Sequence, residues 1–587
     1  MIAFLRWAKS VALGALNSIA KFALVLILLV AALLVIGLLR GDGLPGNMVL
    51  ALDLRAPMVD SARPAFDFGP RPVTVMDTVL ALDAAERDPR VKGVLLRLGS
   101  ANLPIAQAEE IGAALKKFRA SGKFVIAHSQ GFVAAGLGDY LAASHAGEIW
   151  MQPRAPFTAA GEGGTQIFLR GLLDKVGAVP QIVKRADYKS AADQYMEKGM
   201  TPADREQTTR LLQSWYDTAT ADAAADRHLS RDRLIAALDA SPQFAEGARA
   251  AGLIDRIGYD DDAQAAALAQ AGSDAKLVPL AQFARAREGA AAFGSGPRIA
   301  LVEASGEILD GSAGGVDDVI AGDTMAKAIR AATADKDVKA IVLRVDSPGG
   351  SVTASDQILD AVKKAQAAGK PVVVSMGGVA ASGGYFISLS ANRIVAEPGT
   401  ITGSIGVLTG KVSVDRSLAL AGVGTDTIGV GRNALYNSPF QPYSDEQLAA
   451  LNREADVIYA DFTQKVADGR KLPLAKVQAI AKGRVWSGAD AKANGLVDTL
   501  GGFWTAADTA KRLAGLSPDT RAAFRVYPRK KDFFEAVDEL FGGTPEAVSA
   551  VETFVTLMNA VPVRAAAAAV ADLPRGGVAL RAVNLPR

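Results

Sequence analysis

The stretch Ser375-Met-Gly-Gly-Val-Ala-Ala-Ser382-Gly-Gly-Tyr385-Phe-Ile-Ser388 decides the fold, because an apolar strand pattern runs into a turn of small residues and then into a helical pattern. That succession is typical of the βα units of α/β proteins. Ser382 lies between Ala381 and Gly383, where small neighbours let other backbone approach closely, and an N–H group at a helix start can face developing negative charge. The pattern fits either an ordinary tight turn or a turn that presents a nucleophilic hydroxyl.

Length and composition limit the classes of protein to consider. With 587 residues, of which 50% are hydrophobic and 21% charged, the chain is expected to form two or more globular domains and a membrane segment. A net charge of +2, without a basic stripe interleaved with aromatic residues, gives no reason to expect a nucleic-acid partner. Because the chain has no cysteine, disulfides, thiolate catalysis and Cys-ligated metals are excluded.

An apolar run near the N-terminus predicts a membrane anchor. Phe22 to Leu39 are 18 uncharged residues, which span about 27 Å as a helix. No cleavage site of the small-x-small type follows the run, so we predict an uncleaved transmembrane helix over 22–40 rather than a signal peptide. The basic residues that precede it predict that residues 1–21 stay cytoplasmic and that the rest of the chain faces the far side. A buried core helix is the alternative.

A globular pattern then occurs twice along the chain. Asp88–Leu98 resembles Asp335–Val345, and Gly122–Ala127 resembles Gly369–Val374, both at an offset of 247 residues. Later pairs keep nearly the same spacing, so we predict two tandem domains of one fold. Those pairs are Tyr140 with Tyr385 at an offset of 245, and Ala250–Asp255 with Ala493–Asp498 at an offset of 243.

Each copy reads as strands alternating with helices, which predicts an α/β fold of parallel βαβ units with helices on both faces. We place the N-terminal repeat domain at 46–285, the C-terminal repeat domain at 297–525 and a tail outside both repeats at 526–587. The strands predicted in the second copy are Ile299–Ala304, Ala340–Val345 and Pro371–Val374, and the helices predicted in both copies include Pro202–Leu238, Asp356–Ala368 and Asp445–Leu472.

The repeat shows which side chains the fold itself does not require. At an offset of 245, Ser382 falls on Leu137, so the first copy lacks the hydroxyl. Conversely, Lys189 falls on Ala434, so the second copy lacks that amine. Because a serine nucleophile without a suitable histidine can use a lysine of lowered pKa, these reciprocal differences predict an active site shared between the copies. The chain offers few candidates for the histidine of a Ser-His-Asp triad. It has three histidines, all well before the serine stretch: His128, His145 and His228.

A second Gly-rich element also occurs in one copy alone. The second copy has Arg344-Val-Asp-Ser-Pro-Gly349-Gly350-Ser, whereas the first has Arg97-Leu-Gly-Ser-Ala-Asn-Leu. A Pro-Gly pair is common in ordinary turns. Because this loop follows the strand that precedes the serine strand, its backbone N–H groups are candidates for an oxyanion hole.

These motifs, together with Tyr188-Lys189-Ser190, Gly399-Thr-Ile-Thr-Gly-Ser-Ile-Gly406 and Val485–Asp498, resemble the long tandem form of signal peptide peptidase A over residues 46 to 520. That family consists of membrane-anchored serine proteases with a Ser/Lys dyad and a crotonase-like or Clp-protease-like fold. The resemblance implies Ser382 as the nucleophile and Lys189 as the general base, with Gly349 or Gly350 and Gly383 at the oxyanion. It implies no cofactor and no metal.

The resemblance also implies partners and a location. The expected substrates are apolar peptides, such as signal peptides left after preprotein processing, and the expected assembly is a homotetramer. The expected place is the bacterial inner membrane, spanned once, with the catalytic domains in the periplasm. Two alternatives remain at this point, a crotonase-type acyl-CoA enzyme and a non-catalytic membrane scaffold. Whether Ser382 and Lys189 meet within one chain or between neighbours also stays open.

Overall fold

The structure is a computed structural model of the chain. The predicted N-terminal segment 1–21, the predicted transmembrane helix 22–40 and all but the first residues of the predicted tail lie outside the residues that it describes. Within the described part, no helix is both long and apolar enough to cross a membrane. The described residues are 42–61, 73–134, 136–291, 297–312, 319–517, 520 and 523–528.

The first copy is built on a six-stranded parallel sheet in the order β8-β4-β3-β2-β1-β9. Its strands are short apolar runs because helices cover both faces, as the βα alternation predicts. The strands are β1 (Met48–Asp53), β2 (Val91–Leu98), β3 (Phe124–Ser129), β4 (Glu148–Met151), β8 (Arg256–Ile257) and β9 (Lys276–Pro279). The helices are Val75–Arg87, Ile105–Ala120, Gly138–Ser144, Arg170–Lys175, Asp193–Met196, Pro202–Asp226, Arg231–Asp239, Ala245–Ala250, Asp260–Ala271 and Leu280–Ala291, with a 3₁₀ turn at Ser190–Ala192.

The second copy repeats this plan in an eight-stranded sheet with the path β18-β16-β14-β13-β10-β20. Off this path, β15 pairs with β14, and β19 pairs with β15. All its pairings are parallel except that of β16 with β18. Its strands are β10 (Arg298–Ser305), β13 (Val338–Ser347), β14 (Val372–Ala381), β15 (Arg393–Ala396), β16 (Ile401–Gly403), β18 (Val485–Ser487), β19 (Thr499–Leu500) and β20 (Ala523–Tyr527). Its helices are Gly322–Ala334, Val352–Ala367, Gly383–Ser388, Asp415–Leu420, Asp445–Arg470, Leu474–Ile480, Gly488–Asn494 and Phe503–Leu513.

Three small two-stranded sheets complete the fold, and one of them joins the copies. β6 of the first copy pairs antiparallel with β17 of the second over seven residues each. The strands of these sheets are β5 (Pro156–Phe157) with β7 (Gln243–Phe244), β6 (Val179–Arg185) with β17 (Val407–Ser413), and β11 (Glu307–Leu309) with β12 (Val319–Ala321).

Several predicted boundaries were wrong for local reasons. The helical stretch predicted from Pro202 to Leu238 is two helices, because His228 has a φ of 54° and Ser230 caps a new helix by accepting from the Arg233 amide. β14 continues beyond Val374 to Ala381, since its small residues pair with β16. The strands and helices of the second copy are otherwise at the predicted places.

Candidate active site

Ser382 stands at the junction of β14 and the helix Gly383–Ser388. Its backbone has φ 55° and ψ −114°, a conformation that a non-glycine residue rarely adopts and that is typical of nucleophile turns. The turn is held on both sides, because the Ser382 amide donates to the Gly403 carbonyl at 2.9 Å and its carbonyl accepts from the Phe386 amide at 2.8 Å. The side chain is fully buried.

Lys189 reaches this hydroxyl from the first copy of the same chain. Its Nζ lies 3.0 Å from Ser382 Oγ, 2.9 Å from the Ser404 carbonyl oxygen and 2.9 Å from Ser404 Oγ. The backbone around the lysine is anchored to the second copy, because the Tyr188 amide donates to the Lys482 carbonyl. A neutral amine has two N–H donors and one lone pair, so it can donate twice to Ser404 and accept the Ser382 proton.

Burial sets the charge state of this lysine. Lys189 is 1% exposed, and desolvation lowers the pKa of its amine from 10.5 to about 7. The backbone of Gly483 packs directly against the lysine, since a Cβ on Gly483 would lie 2.6 Å from the Lys189 Cβ. A large share of the amine is therefore neutral near neutral pH.

The two Gly-rich elements meet beside the serine. A Cβ placed on Gly383 would lie 3.1 Å from both the Gly350 amide nitrogen and the Gly349 Cα. The Gly349 amide donates to Ser347 Oγ at 3.2 Å, so its N–H group already has a partner. Of the two glycines considered from the sequence, Gly350 is therefore the better candidate donor to an oxyanion, together with Gly383.

Ser404 is a site residue to which the sequence reasoning gave no role. It belongs to the Gly399–Gly406 motif and has a φ of 51°, unusual for serine. Its amide donates to the Arg484 carbonyl at 2.7 Å, which fixes the turn that binds the lysine. The available signal was a serine between Gly403 and the apolar Ile405. Its contact with Lys189 forms only in the folded chain, where the two copies meet.

The first copy has the same architecture without these groups. Leu137 precedes the helix Gly138–Ser144 as Ser382 precedes Gly383–Ser388, so the two positions correspond in the fold as well as in the sequence. Two of the histidines are engaged elsewhere, since His128 lies 3.2 Å from the Gly258 carbonyl oxygen and His145 contacts Asp226.

Comparison with known proteins agrees with this architecture. The family model for peptidase family S49 matches residues 117–274 and 364–517, and the Clp protease model matches 312–398. Protease 4 of Salmonella typhi is 35% identical over 500 residues, 81% of this chain and 78% of that protein. Protease 4 of Haemophilus influenzae is 34% identical over 470 residues, 77% and 75% of the two chains. The chloroplastic serine protease SPPA of Arabidopsis thaliana is 31% identical over 480 residues, 80% and 69% of the two chains.

The family membership decides between the functions considered from the sequence, because the similar proteins are named as proteases rather than as acyl-CoA enzymes or scaffolds. The chain belongs to peptidase family S49 and is a serine protease that carries the family's domain in two tandem copies.

Proposed function

We propose that this serine protease is an endopeptidase that uses Ser382 as its nucleophile and Lys189 as its general base. The observation that carries the proposal is the 3.0 Å separation of Lys189 Nζ and Ser382 Oγ at a site shielded from water. Without competing solvent, the amine can be neutral at working pH and the hydroxyl has one basic partner.

The reaction follows acyl-transfer chemistry. Neutral Lys189 takes the hydroxyl proton while Ser382 Oγ forms a bond to the scissile carbonyl carbon. The N–H groups of Gly383 and Gly350 stabilise the oxyanion. The lysine ammonium then gives its proton to the leaving amine as the C–N bond breaks. Lys189 next deprotonates a water, which hydrolyses the acyl-enzyme and regenerates the serine.

We propose apolar peptides as the substrates, among them signal peptides left after preprotein processing. The lysine amine stays desolvated, and so neutral, when the bound peptide itself excludes water. An apolar peptide does this at a lower desolvation cost than a charged one. The resemblance to signal peptide peptidase A supports the same class. We propose neither a nucleic-acid partner nor a cofactor.

We also propose a single-pass anchor over 22–40 in the bacterial inner membrane, with residues 1–21 cytoplasmic and both repeat domains periplasmic, and assembly as a homotetramer. The apolar run and the basic residues before it support the topology, while the tetramer rests on the resemblance. Full-length protein that is released from membranes by alkaline carbonate would contradict the anchor.

Hydrolysis of a fluorogenic apolar peptide tests the catalytic proposal. Ser382→Ala and Lys189→Ala are each expected to abolish turnover while leaving the assembled mass in solution unchanged. Ser388→Ala is the matched control, since Ser388 is also buried and its hydroxyl donates to the Gly384 carbonyl of its own helix. Lys198→Ala, on the surface of the first copy, controls for loss of a lysine. Wild-type turnover by Lys189→Ala would contradict the dyad.

A further inference from the structure

The segment 482–485 of the second copy lies directly against Lys189. A Cβ on Gly483 would come within 2.7 Å of the Lys189 amide nitrogen and within 2.8 Å of its Cα, so the two backbones pack without a gap. The segment is also bonded to the first copy, since the Lys482 carbonyl accepts from the Tyr188 amide at 3.1 Å. It therefore forms one wall around the buried lysine.

An arginine in this segment is stacked between two aromatic rings. The central carbon of the Arg484 guanidinium lies 4.9 Å from the centre of the Tyr188 ring, on the first copy, and 4.4 Å from that of the Trp486 ring, on the second. Glu206 of the first copy completes the arrangement, because its carboxylate accepts from Arg484 at 2.8 Å and from the Tyr188 hydroxyl at 2.7 Å. The stack therefore joins the two copies beside Lys189.

The guanidinium is held largely by the rings. The Arg484 side chain is only 15% exposed, although it is long and charged. Its Nε–H group is shielded from solvent, and no oxygen of the described residues accepts a hydrogen bond from it. The faces of Tyr188 and Trp486 are therefore its main partners there, as in other cation–π stacks of arginine. At these separations no water molecule fits directly between the guanidinium and either ring.

The backbone of the same arginine binds the residue that holds the lysine amine. The Ser404 amide donates to the Arg484 carbonyl at 2.7 Å. The carbonyl and hydroxyl oxygens of Ser404 each lie 2.9 Å from Lys189 Nζ. Arg484 is thus in contact with Tyr188, which precedes the lysine in the chain, and with Ser404, which contacts its amine.

The copy without the nucleophile lacks the corresponding side chains. At the offset of 243 found for the ends of the repeats, Arg484 falls on Ser241 and Trp486 falls on Gln243. The structure agrees with this correspondence, since β7 and β18 each lead directly into a helix. The fold itself therefore does not require the arginine and the tryptophan, and their presence is better explained by the neighbouring Lys189.

We propose that the stack of Tyr188, Arg484 and Trp486 is a positioning device that keeps water away from Lys189 and holds its amine at Ser382. The inference rests on the proposed Ser/Lys function, and it adds three residues that the proposed reaction does not itself use. The stack acts by clamping the segment 482–485 against the lysine. Because its parts come from both copies, it also fixes the two copies relative to each other at the site.

The pH dependence of kcat/KM for an uncharged peptide tests the stack. Arg484→Ala and Trp486→Ala are each expected to move the acid limb of the profile upward by about one pH unit or more, because water that reaches the amine favours its charged form. The loss should be about tenfold at pH 6 and should vanish on the plateau near pH 9.5. A purely structural defect would instead lower the whole profile by one factor. Trp486→Ala keeps the charge of Arg484, so a shift in both variants distinguishes exclusion of water from loss of a nearby cation.

Arg256 in the first copy provides the matched control. Its guanidinium also lies over an indole ring, 5.3 Å from the centre of Trp150, and it also pairs with a carboxylate, that of Glu148. Arg256→Ala should leave the acid limb at its wild-type position.

Hydrogen exchange followed by mass spectrometry gives a readout that does not depend on catalysis. A peptide that covers residues 187–191 should exchange faster in Arg484→Ala and in Trp486→Ala than in the wild type. The same peptide should exchange at the wild-type rate in Arg256→Ala.

An acid limb that stays at its wild-type position in Arg484→Ala or in Trp486→Ala would overturn the inference, and so would unchanged exchange of residues 187–191. Failure of the proposed function has a different signature, because Lys189→Ala would then retain turnover. That result would contradict the dyad and the stack together. An inactive Lys189→Ala protein with an unmoved limb in the stack variants would contradict the stack alone.

Discussion

Lys189 is a residue whose environment decides its chemistry. Lysine in water is an ammonium ion and no base at neutral pH, but burial lowers the pKa of Lys189 to about 7. Its partners fit the neutral form, since Ser404 offers two oxygens to the two N–H groups and Ser382 faces the lone pair. Desolvation thus allows this amine to act as a general base, the role that the histidine has in a Ser-His-Asp triad.

The pKa of Lys189 predicts the acid side of the pH profile. Because the proposed base must be neutral, kcat/KM should fall by about tenfold for each pH unit below about 7 as the amine takes up its proton. It should level off above that pH, because the amine is then mostly neutral, whereas with a lysine of ordinary pKa the rate would keep rising.

The measurement is kcat/KM for one uncharged peptide between pH 5 and 9, with the fold checked by circular dichroism at each pH. A profile that keeps rising with an inflection near 10 would mean that Lys189 is not desolvated in the working enzyme.

At this scale the sequence predicted Ser382 and Lys189, because the repeat shows which positions the fold leaves free. It did not predict Ser404, whose side chain matters only because β16 ends beside the lysine of the other copy. It also did not distinguish Gly349 from Gly350, since the bond from the Gly349 amide to Ser347 Oγ depends on the folded loop.

Among the elements, the loop after β13 explains why two glycines follow Pro348. The Ser351 amide donates to the Ile308 carbonyl at 2.7 Å, so the loop and β11 lie in contact. A Cβ on Gly350 would lie 2.0 Å from that carbonyl oxygen, closer than any side chain can approach. Glycine at 350 is therefore required for the loop to lie beside Gly383.

Gly350→Ala is predicted to displace this loop and to lower kcat by about 100-fold or more, the usual loss when an oxyanion donor is removed. KM for a short apolar peptide should change less than kcat. Gly199→Ala is the matched control, because a Cβ there meets nothing within 4 Å. Steady-state kinetics of the two variants test this prediction, and equal kcat values would contradict the requirement for glycine at 350 and the catalytic role of the loop position.

The main elements were predictable from apolar runs and their alternation, but their ends were not. The extension of β14 to Ala381 has a single β-branched residue after Val374, Val379, and it exists because β16 lies alongside. The break near His228 likewise depends on a single left-handed residue and on the cap at Ser230. Such boundaries are set by tertiary partners more than by local propensity.

Over the whole molecule, the copies are also joined by a buried cluster of charged and acidic groups. Arg344 of β13 is 1% exposed and donates to both oxygens of Asp60 and, at 2.6 Å, to Glu110, both from the first copy. Burial raises the pKa of Glu109 to about 8 and that of Glu397 well above its usual range, with neighbouring carboxylates adding to both shifts. The guanidinium of Arg344 is thus paired with two acidic side chains, while burial favours the protonated forms of Glu109 and Glu397.

The raised pKa of Glu109 predicts how stability depends on pH. Between its usual value of 4.5 and about 8 the folded chain binds a proton that the unfolded chain has lost, so the free energy of unfolding should decrease as pH rises through this window. Glu109→Gln keeps an oxygen for the Gly399 amide, which donates to Glu109 at 2.8 Å, and removes the titration.

Urea unfolding midpoints at pH 6 and pH 8.5 test this prediction. The wild type should lose more stability between the two values than Glu109→Gln does. The control is Glu246→Gln, in the helix Ala245–Ala250 of the first copy, which should behave as the wild type. An equal loss in Glu109→Gln and in the wild type would show that Glu109 is already ionised at pH 6.

This joining of the copies was beyond the sequence. The repeat predicted two domains and a shared site, but Arg344 and its partners are separated by 284 and 234 residues and carry no common pattern. Only the folded chain shows that the site shared between the copies can form within a single molecule.

Covalent labelling with a fluorophosphonate tests the central proposal most directly, because it reports the nucleophile and its activation together. Peptide mapping of the labelled wild type should find the adduct on Ser382, and Lys189→Met should slow its formation by about 100-fold or more, the contribution expected of a general base. An adduct on another serine, or labelling of Ser382 at the wild-type rate in Lys189→Met, would contradict the Ser/Lys mechanism.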